Sequence, residues 1–319
     1  MIDFRYHLVS LIAVFLALTV GLVLGAGPLR DVVEQTLTGQ TEELRADREQ
    51  LRAELADAEE LLAERDTFLT EASGALLPGT LSNQRVALVL LPEALPGDVE
   101  SIREHLELAG ASVTAEVSLT ESWSDPQVHS FRQSLAGQLA GYIDPEPADD
   151  AGSSLVLGSA LAAALTDPDG AEELSEDAEV LLELLEGAGT PLIDVGEAPE
   201  APAEAVVLIG SSDPTPGEDE TAADVLRAYV LLAQGAAEVT DVVFAGLGSG
   251  EHDPVTAVRD ELGGALSTVD SLGVMTASVT VPLAVAAEAQ GEGGHYGVRD
   301  DAERPLPEFL VDGLPEADE

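Results

Sequence analysis

The chain predicts a membrane-anchored α/β protein. It reads as an N-terminal transmembrane helix and a coiled-coil helix, followed by a mostly parallel, Rossmann-like layered α/β domain. Three observations carry that expectation. Leu8 to Gly27 is one apolar stretch without a charged residue. Residues 31–75 place leucines at seven-residue spacing with few helix breakers. From Arg85 onward, short apolar runs alternate with helical patterns.

At about 1.5 Å of helical rise per residue, roughly 20 apolar residues cross a bilayer core about 30 Å thick. Leu8–Gly27 meets that length, so residues 1–30 are read as the anchor. Ahead of the span lie the α-amino group, Asp3, Arg5 and His7; beyond it, Arg30 is followed at once by Asp31 and Glu34. The positive-inside rule places Met1 in the cytoplasm and the bulk of the chain outside, single-pass in the plasma membrane. A cleaved secretory signal is the competing reading, because Gly25-Ala26-Gly27 has the small residues of a cleavage site. Against it, the apolar run exceeds a signal core of about 7–15 residues and the charged flank is weak.

Residues 31–75 follow as a long helix. Leu37, Leu44 and Leu51 recur every seven residues, continued by Ala58 and Arg65. Thr41, Arg48, Leu55, Leu62 and Leu69 form a second series offset by four. Together they make the a and d seam of a coiled coil, weakened in its first half by Thr41 and Arg48. Asp47 at g faces Arg52 at the following e of a parallel partner, and parallel is the geometry that two chains anchored in one membrane require. Gly21 and Gly25 form a GxxxG pattern in the membrane segment, extended backwards by Ala17, which lets helix backbones approach. A homodimer through both elements is expected. The alternative is a stalk helix folded back on its own domain. Gly74, Pro78 and Gly79 end the helix and mark a linker over residues 76–84.

Residues 85–290 read as the α/β domain. Arg85–Leu91 is a continuous apolar run, as in a strand buried on both faces. A helix over 97–109, a strand over 111–117, a weaker strand at Ser154–Leu157 and a helix over 176–188 follow. Next come a strand over Pro191–Val195, a strand over Ala205–Ile209, a helix over Ala222–Gln234 and a strand over Asp241–Ala245. Strands alternating with helices predict a sheet covered on both faces. With aromatic residues at 3%, the core must rest on Val, Leu, Ile and Ala. Residues 291–319 carry a Gly-His-Tyr-Gly motif and then a flexible acidic tail from about 299.

The chain holds 61 acidic and 13 basic residues, a formal net charge of −48. Such a field repels nucleic acid and anionic headgroups, so neither is a partner. Every basic residue is arginine. Without lysine there is no P-loop, no Schiff base and no Ser-Lys dyad. Without cysteine there are no disulfides and no thiolate chemistry.

Several segments are candidates for chemistry. Gly246-Leu-Gly248-Ser-Gly250 follows a predicted strand, where dinucleotide folds cradle phosphate. Glu251 and Asp253 set carboxylates at that anion position, and a flexible turn is the better reading. Gly210-Ser-Ser-Asp213 also follows a strand, but its residues are ordinary turn formers, and the chain has no GxSxG elbow. No enzymatic activity is expected. The five histidines, His7, His105, His129, His252 and His295, show no HxH or HxxxH spacing. His252 beside Glu251 and Asp253, or His295 with carboxylates brought near by folding, are the candidate ligands for a hard or borderline ion. Copper(I) prefers sulfur, and Met275 is the only methionine after Met1.

Phe4-Arg-Tyr-His-Leu-Val-Ser10, Ala13-Val-Phe-Leu-Ala-Leu18, Val23-Leu-Gly25, Leu266-Ser-Thr-Val-Asp270 and Gly294-His-Tyr-Gly297 occur in that order. In these segments the chain resembles the mycobacterial copper-transport (channel-forming) protein family of actinobacteria, over nearly its whole length. The resemblance implies a role in copper homeostasis, keeping internal copper low, with copper as the ion handled. It makes Ser267, Thr268, Asp270, Gly294, His295, Tyr296 and Gly297 the motif positions, His295, Tyr296 and Asp270 foremost. The metal candidates are His295 and Asp270, with His252 added from its own carboxylate neighbours, and imidazole with carboxylate suits copper(II). A structural reading stands beside the metal one: Ser267, Thr268 and Asp270 close a turn by side-chain hydrogen bonds, and Gly294 and Gly297 permit tight backbone around His295. One membrane helix cannot enclose a hydrophilic pore, so a conduit requires a higher oligomer or a partner. The other class of function is a coiled-coil-tethered scaffold of the envelope without specific metal binding, its further partners unknown.

Overall fold

A computed structural model describes residues 4–26, 28–148, 150–167, 170–187, 189–199, 201–212, 220–250 and 252–308. The chain divides into two units, Met1–Arg65 and Asp66–Glu319. In the first, helix α1 runs Phe4–Ala26 and helix α2 starts at Pro28, whose missing N–H costs nothing in a first turn. Phe4–Val23 is long and apolar enough to cross a membrane and has none of its surface buried in protein. Helix α2 continues unbroken for 49 residues to Leu76, through both heptad series. Positions 37 and 41 of those series lie outside the residues whose side chains are described; from Leu44 to Arg65 every side chain is exposed.

The second unit is a doubly wound domain. Its strands are β1 (Arg85–Leu90), β2 (Ser112–Leu119), β3 (Ile193–Glu197), β4 (Ala205–Ile209), β5 (Asp241–Ala245), β6 (Ser267–Val269) and β7 (His295–Tyr296). The helices between them are α3 (Pro96–Ala109), α4 (His129–Leu139), α5 (Ser153–Leu165), α6 (Glu176–Glu186), α7 (Glu220–Ala237), α8 (Pro254–Leu262) and α9 (Met275–Glu288). The sheet order is β3-β2-β1-β4-β5-β6-β7. All neighbours are parallel except β2 and β3. Alternate residues of each strand feed two cores: Ala87, Val89 and Leu91 pack toward α4–α8, while Val86, Leu88 and Leu90 pack toward α3 and α9. The two-sided burial explains why the strands read as continuous apolar runs.

Several expectations need correction. Ser154–Leu157 is not a strand but the first turns of α5, buried from Val156 to Ala162. A short apolar run cannot be assigned by periodicity, and the alanines that follow supply the length a helix needs. The strand expected over Pro191–Val195 does form, as the antiparallel edge strand β3 with exposed Asp194 and Glu197. Residues 76–84 are more than a linker, since Leu77 and Leu81 are fully buried and the N–H groups of Gly79 and Leu81 donate to Ala109 O at 3.2 and 3.0 Å. Residues 299–308 pack onto the domain rather than trailing from it. The Glu303 N–H donates to His295 O at 2.8 Å, the Gly297 N–H donates to Arg304 O at 3.0 Å, and Pro307 is buried. Positions 309–319 lie outside the described residues.

Helices α5 and α7 cross at two glycines. A Cβ on Gly158 would lie 2.5 Å from Leu232 O, and one on Gly235 would overlap Leu155 O. Ser159 Oγ donates to Gly235 O at 2.9 Å, which seals the crossing. Overpacking of this kind costs about 1–3 kcal/mol. Gly235→Ala should therefore lower the unfolding free energy by that amount in urea titration. Gly137→Ala, on an exposed part of α4 with open space around it, should raise it by about 0.5–1 kcal/mol. Equal responses at the two positions would contradict the close crossing.

Candidate functional site

Strands β6 and β7 are short, and the motif positions converge where they end. Thr268 pairs with His295 and Val269 with Tyr296 across the parallel ladder. Asp270 follows β6 at the C-terminal edge of the sheet, the edge where doubly wound folds place their ligands. It is 1% exposed.

Every lone-pair direction of the Asp270 carboxylate is used. Oδ1 accepts from Ser271 Oγ at 2.8 Å and from the Val298 N–H at 2.9 Å. Oδ2 accepts from Arg259 Nη1 and Nη2, both at 3.2 Å, and from the Arg299 N–H at 3.2 Å. Arg259, on α8, completes its own set through Nε to Thr268 Oγ1 at 2.8 Å, Nη1 to Asp301 at 2.8 Å and Nη2 to Tyr296 O at 2.9 Å. The guanidinium thus ties β6, β7 and the 298–301 segment to one carboxylate, both side chains being almost wholly buried.

The glycines around this pair are set by contact. A Cβ on Gly297, at φ 141°, would sit on the Asp270 carboxylate; one on Gly248, at φ 66°, would overlap Asp270 Cβ. Ser267 Oγ accepts from the Gly294 N–H at 2.9 Å, and the Tyr296 hydroxyl donates to Glu292 O at 2.8 Å. His295 Nδ1 lies 3.1 Å from Thr268 Oγ1, and the ring also hydrogen-bonds the backbone of Gly263. Burial, reinforced by the nearby Arg259 charge, holds the His295 imidazole below the usual histidine range.

The glycine-rich turn after β5 serves the same region. The Gly248 N–H donates to Asp253 Oδ2 at 3.2 Å, and Asp253 Oδ1 caps α8 by accepting from the Thr256 N–H at 3.0 Å. The protein's own carboxylate therefore occupies the amide that a phosphate would use. Burial pushes the Asp253 carboxyl upward, and these hydrogen bonds oppose the shift. Asp213 and Glu251 lie outside the described residues.

The structure thus gathers Ser267, Thr268, Asp270, Gly294, His295, Tyr296 and Gly297 into one network. His252, on the β5–α8 connection, makes no hydrogen bond to that network among the described residues. Nor, among them, is any group of three or more His, Asp or Glu side chains arranged to hold a metal ion. Sequence reasoning missed Arg259, although Asp253-Pro254 carries the N-cap and first-turn proline that announce a helix. One cavity borders the region and another lies elsewhere along the sheet. An apolar one of about 170 Å³ lies among Leu69, Leu76, Val269, Leu283 and Val298. A polar one of about 490 Å³ lies at the ends of β1 and β2, where Arg103 pairs with Glu116 and Glu197.

These features define a class: a protein with, among the described residues, one membrane-length apolar helix, a long polar helix and a doubly wound α/β domain whose last strands are locked by a buried Arg–Asp pair. Residues 1–307 match the family model described as copper transport outer membrane protein, MctB, and the chain belongs to that family. It is 28% identical over 320 residues to the copper transporter MctB of Mycobacterium tuberculosis, covering 93% of this chain and 96% of that protein. The protein of the same name from Mycobacterium bovis gives the same figures. The Mycobacterium leprae protein of that name is 35% identical over 125 residues, 39% of each chain.

Removing one partner of a buried ion pair costs about 3–5 kcal/mol, because the other charge is left unpaired. Arg259→Ala should destabilise the domain by that amount in chemical denaturation. Arg259→Lys should recover little, since one ammonium cannot span Thr268, Asp270, Asp301 and Tyr296. The lowered histidine gives a pH dependence. A folded-state value below the unfolded value of about 6.5 means that the His295 contribution is whole above that pH and is lost as pH falls through the folded value. The difference in melting temperature between the wild type and His295→Gln should therefore be larger at pH 7.5 than at pH 5.5. A constant difference would contradict the burial argument.

Proposed function

We propose that this chain is a single-pass envelope protein acting in copper ion transport and homeostasis, through export or tolerance. Its N-terminus is cytoplasmic and its α/β domain extracytoplasmic. The observation that carries the reading is the family match over residues 1–307, which spans the apolar helix, the long helix and the Arg259–Asp270 network alike. The named relatives are copper transporters, matched over 93% of this chain. Orientation follows from charge, since few bases and fewer acids precede the span and a large acidic excess follows it.

The domain's part in that work is scaffolding around its C-terminal strands. The sheet is covered by helices on both faces, which suits a soluble domain and not a lipid-facing barrel. A single span encloses no channel, so passage of an ion runs through an assembly or a partner. Asp270 and His295 serve by holding the 294–306 segment in place, with their polar atoms committed to protein partners. That commitment also favours the second reading, an envelope interaction module without specific metal binding. Any direct contact with copper would use copper(II) on imidazole and carboxylate, His252 included, because thiolates are absent and Met1 and Met275 are the only sulfur side chains.

The test is calorimetric titration of the full chain in detergent micelles with copper(II), with calcium as the control for charge. One saturable copper site absent with calcium, and lost in His252→Ala with folding intact, supports direct handling. Weak, salt-sensitive binding common to both ions assigns it to the acidic surface and favours the scaffold. In cells, deleting the gene should raise internal copper, and the full chain should restore it. Unchanged copper content on deletion would overturn the transport reading.

A further inference from the structure

We infer that residues 37–65 of helix α2 form a parallel, in-register, two-stranded coiled coil with a second copy of this chain. The described part of this stretch presents an apolar stripe to solvent, interrupted at Arg48: Leu44 is 69% exposed, Leu51 65%, Leu55 59% and Leu62 49%. These four occupy the d, d, a and a positions of one heptad frame, so the stripe winds at the period at which a second identical helix follows it.

Charge placement identifies the occupant. Residues 31–75 contain four arginines, Arg45, Arg48, Arg52 and Arg65. In the frame of the leucines they fall at e, a, e and d, all on or beside the seam. Glu49, Asp57, Glu60 and Glu64 fall at b, c and f, on the outer face, while Asp47 and Glu54 at g and Glu59 at e border the seam. A copy carrying a net charge of −48 should repel its twin. Arg45, Arg48, Arg52 and Arg65 all lie on or beside this seam, where Asp47 at g meets Arg52 at the next e of a parallel partner; one heptad on, Glu54 at g and Glu59 at the next e carry like charge. Gln50 Nε2 donates to Glu54 Oε1 at 2.8 Å, which settles one outer polar group within its own helix. A nucleic acid or an anionic headgroup would meet the acidic face, and neither supplies a leucine ladder.

Arg48 sets the number of strands. A charged side chain at one a position reaches solvent beside a two-stranded seam, whereas in a larger bundle it would be enclosed. Direction comes from α1: if both copies cross one membrane, their α2 helices start on the same side. The parallel sense rests on that membrane reading. The pairing itself does not rest on copper, so failure of copper binding and failure of pairing are separate results.

The test uses the absence of cysteine in the natural chain. Full-length Leu51→Cys, at d, and Ala53→Cys, at the outward f position, are purified in detergent and oxidised with diamide, which introduces no copper. Leu51→Cys should convert to a species of twice the 33.0 kDa chain mass, with Ala53→Cys remaining single. Light scattering of the unmodified chain should give two copies per particle. Replacing Leu51 and Leu55 together by Glu should halve that mass with the domain's melting temperature unchanged, which separates loss of pairing from loss of folding. A monomer, a larger oligomer, or equal cross-linking at the two cysteines would overturn the inference.

Discussion

The carboxylate of Asp270 is a charge placed where water cannot reach it, and the C-terminal third of the domain is organised around making that placement tolerable. An ionised group in a protein interior must be paired and hydrogen-bonded, or the fold loses several kcal/mol. Here the pairing comes from Arg259 on α8, and the remaining capacity is filled by Ser271, Val298 and Arg299. Strands of three and two residues, such as β6 and β7, have little ladder to hold them. The ion pair does for this edge what long strands do in the middle of the sheet.

The same dependence explains the two glycines that face it. Gly248 approaches from the β5–α8 turn and Gly297 from the segment after β7, each at a φ that a side chain would strain and each against the Asp270 side chain. The motif positions that the resemblance singles out are therefore intelligible as one mechanical unit. Ser267 and Thr268 hold backbone and guanidinium, Asp270 receives the returning strap, and Tyr296 and His295 fill the space beneath it. Family membership and physical role meet at these residues without requiring that they touch an ion.

Much of the architecture was legible in the chain, for reasons that vary by element. Ala205–Ile209 and Asp241–Ala245 were predicted to the residue, because strands buried on both faces read as clean apolar runs between polar stops. Helix α6 was legible for the opposite reason: Ser175 caps it and its apolar positions keep a helical period. Helices α5 and α9 were not, since each is buried almost all round and no polar face marks a period; Pro282 inside α9 deepened the concealment. Strands β6 and β7 are too short to stand out from turns. Of the site, the motif residues were found by resemblance and the turn-closing role was weighed, but Arg259 was overlooked. A lone arginine in a short segment declares nothing until the fold brings it under β6.

The two edges of the sheet have a consequence for how this protein meets its neighbours. At one side, β3 is short, antiparallel and studded with Asp194 and Glu197; at the other, β7 is capped by the chain itself, through the bridge from Tyr296 to Arg304. Open strand edges are templates on which other chains polymerise, and natural sheets blunt them with charge, brevity or cover. With both margins closed in this way, crowding many copies along a surface should not zip their sheets together. Contacts between molecules are left to helices, whose register is set by side chains rather than by bare backbone, and self-association stays finite and selective.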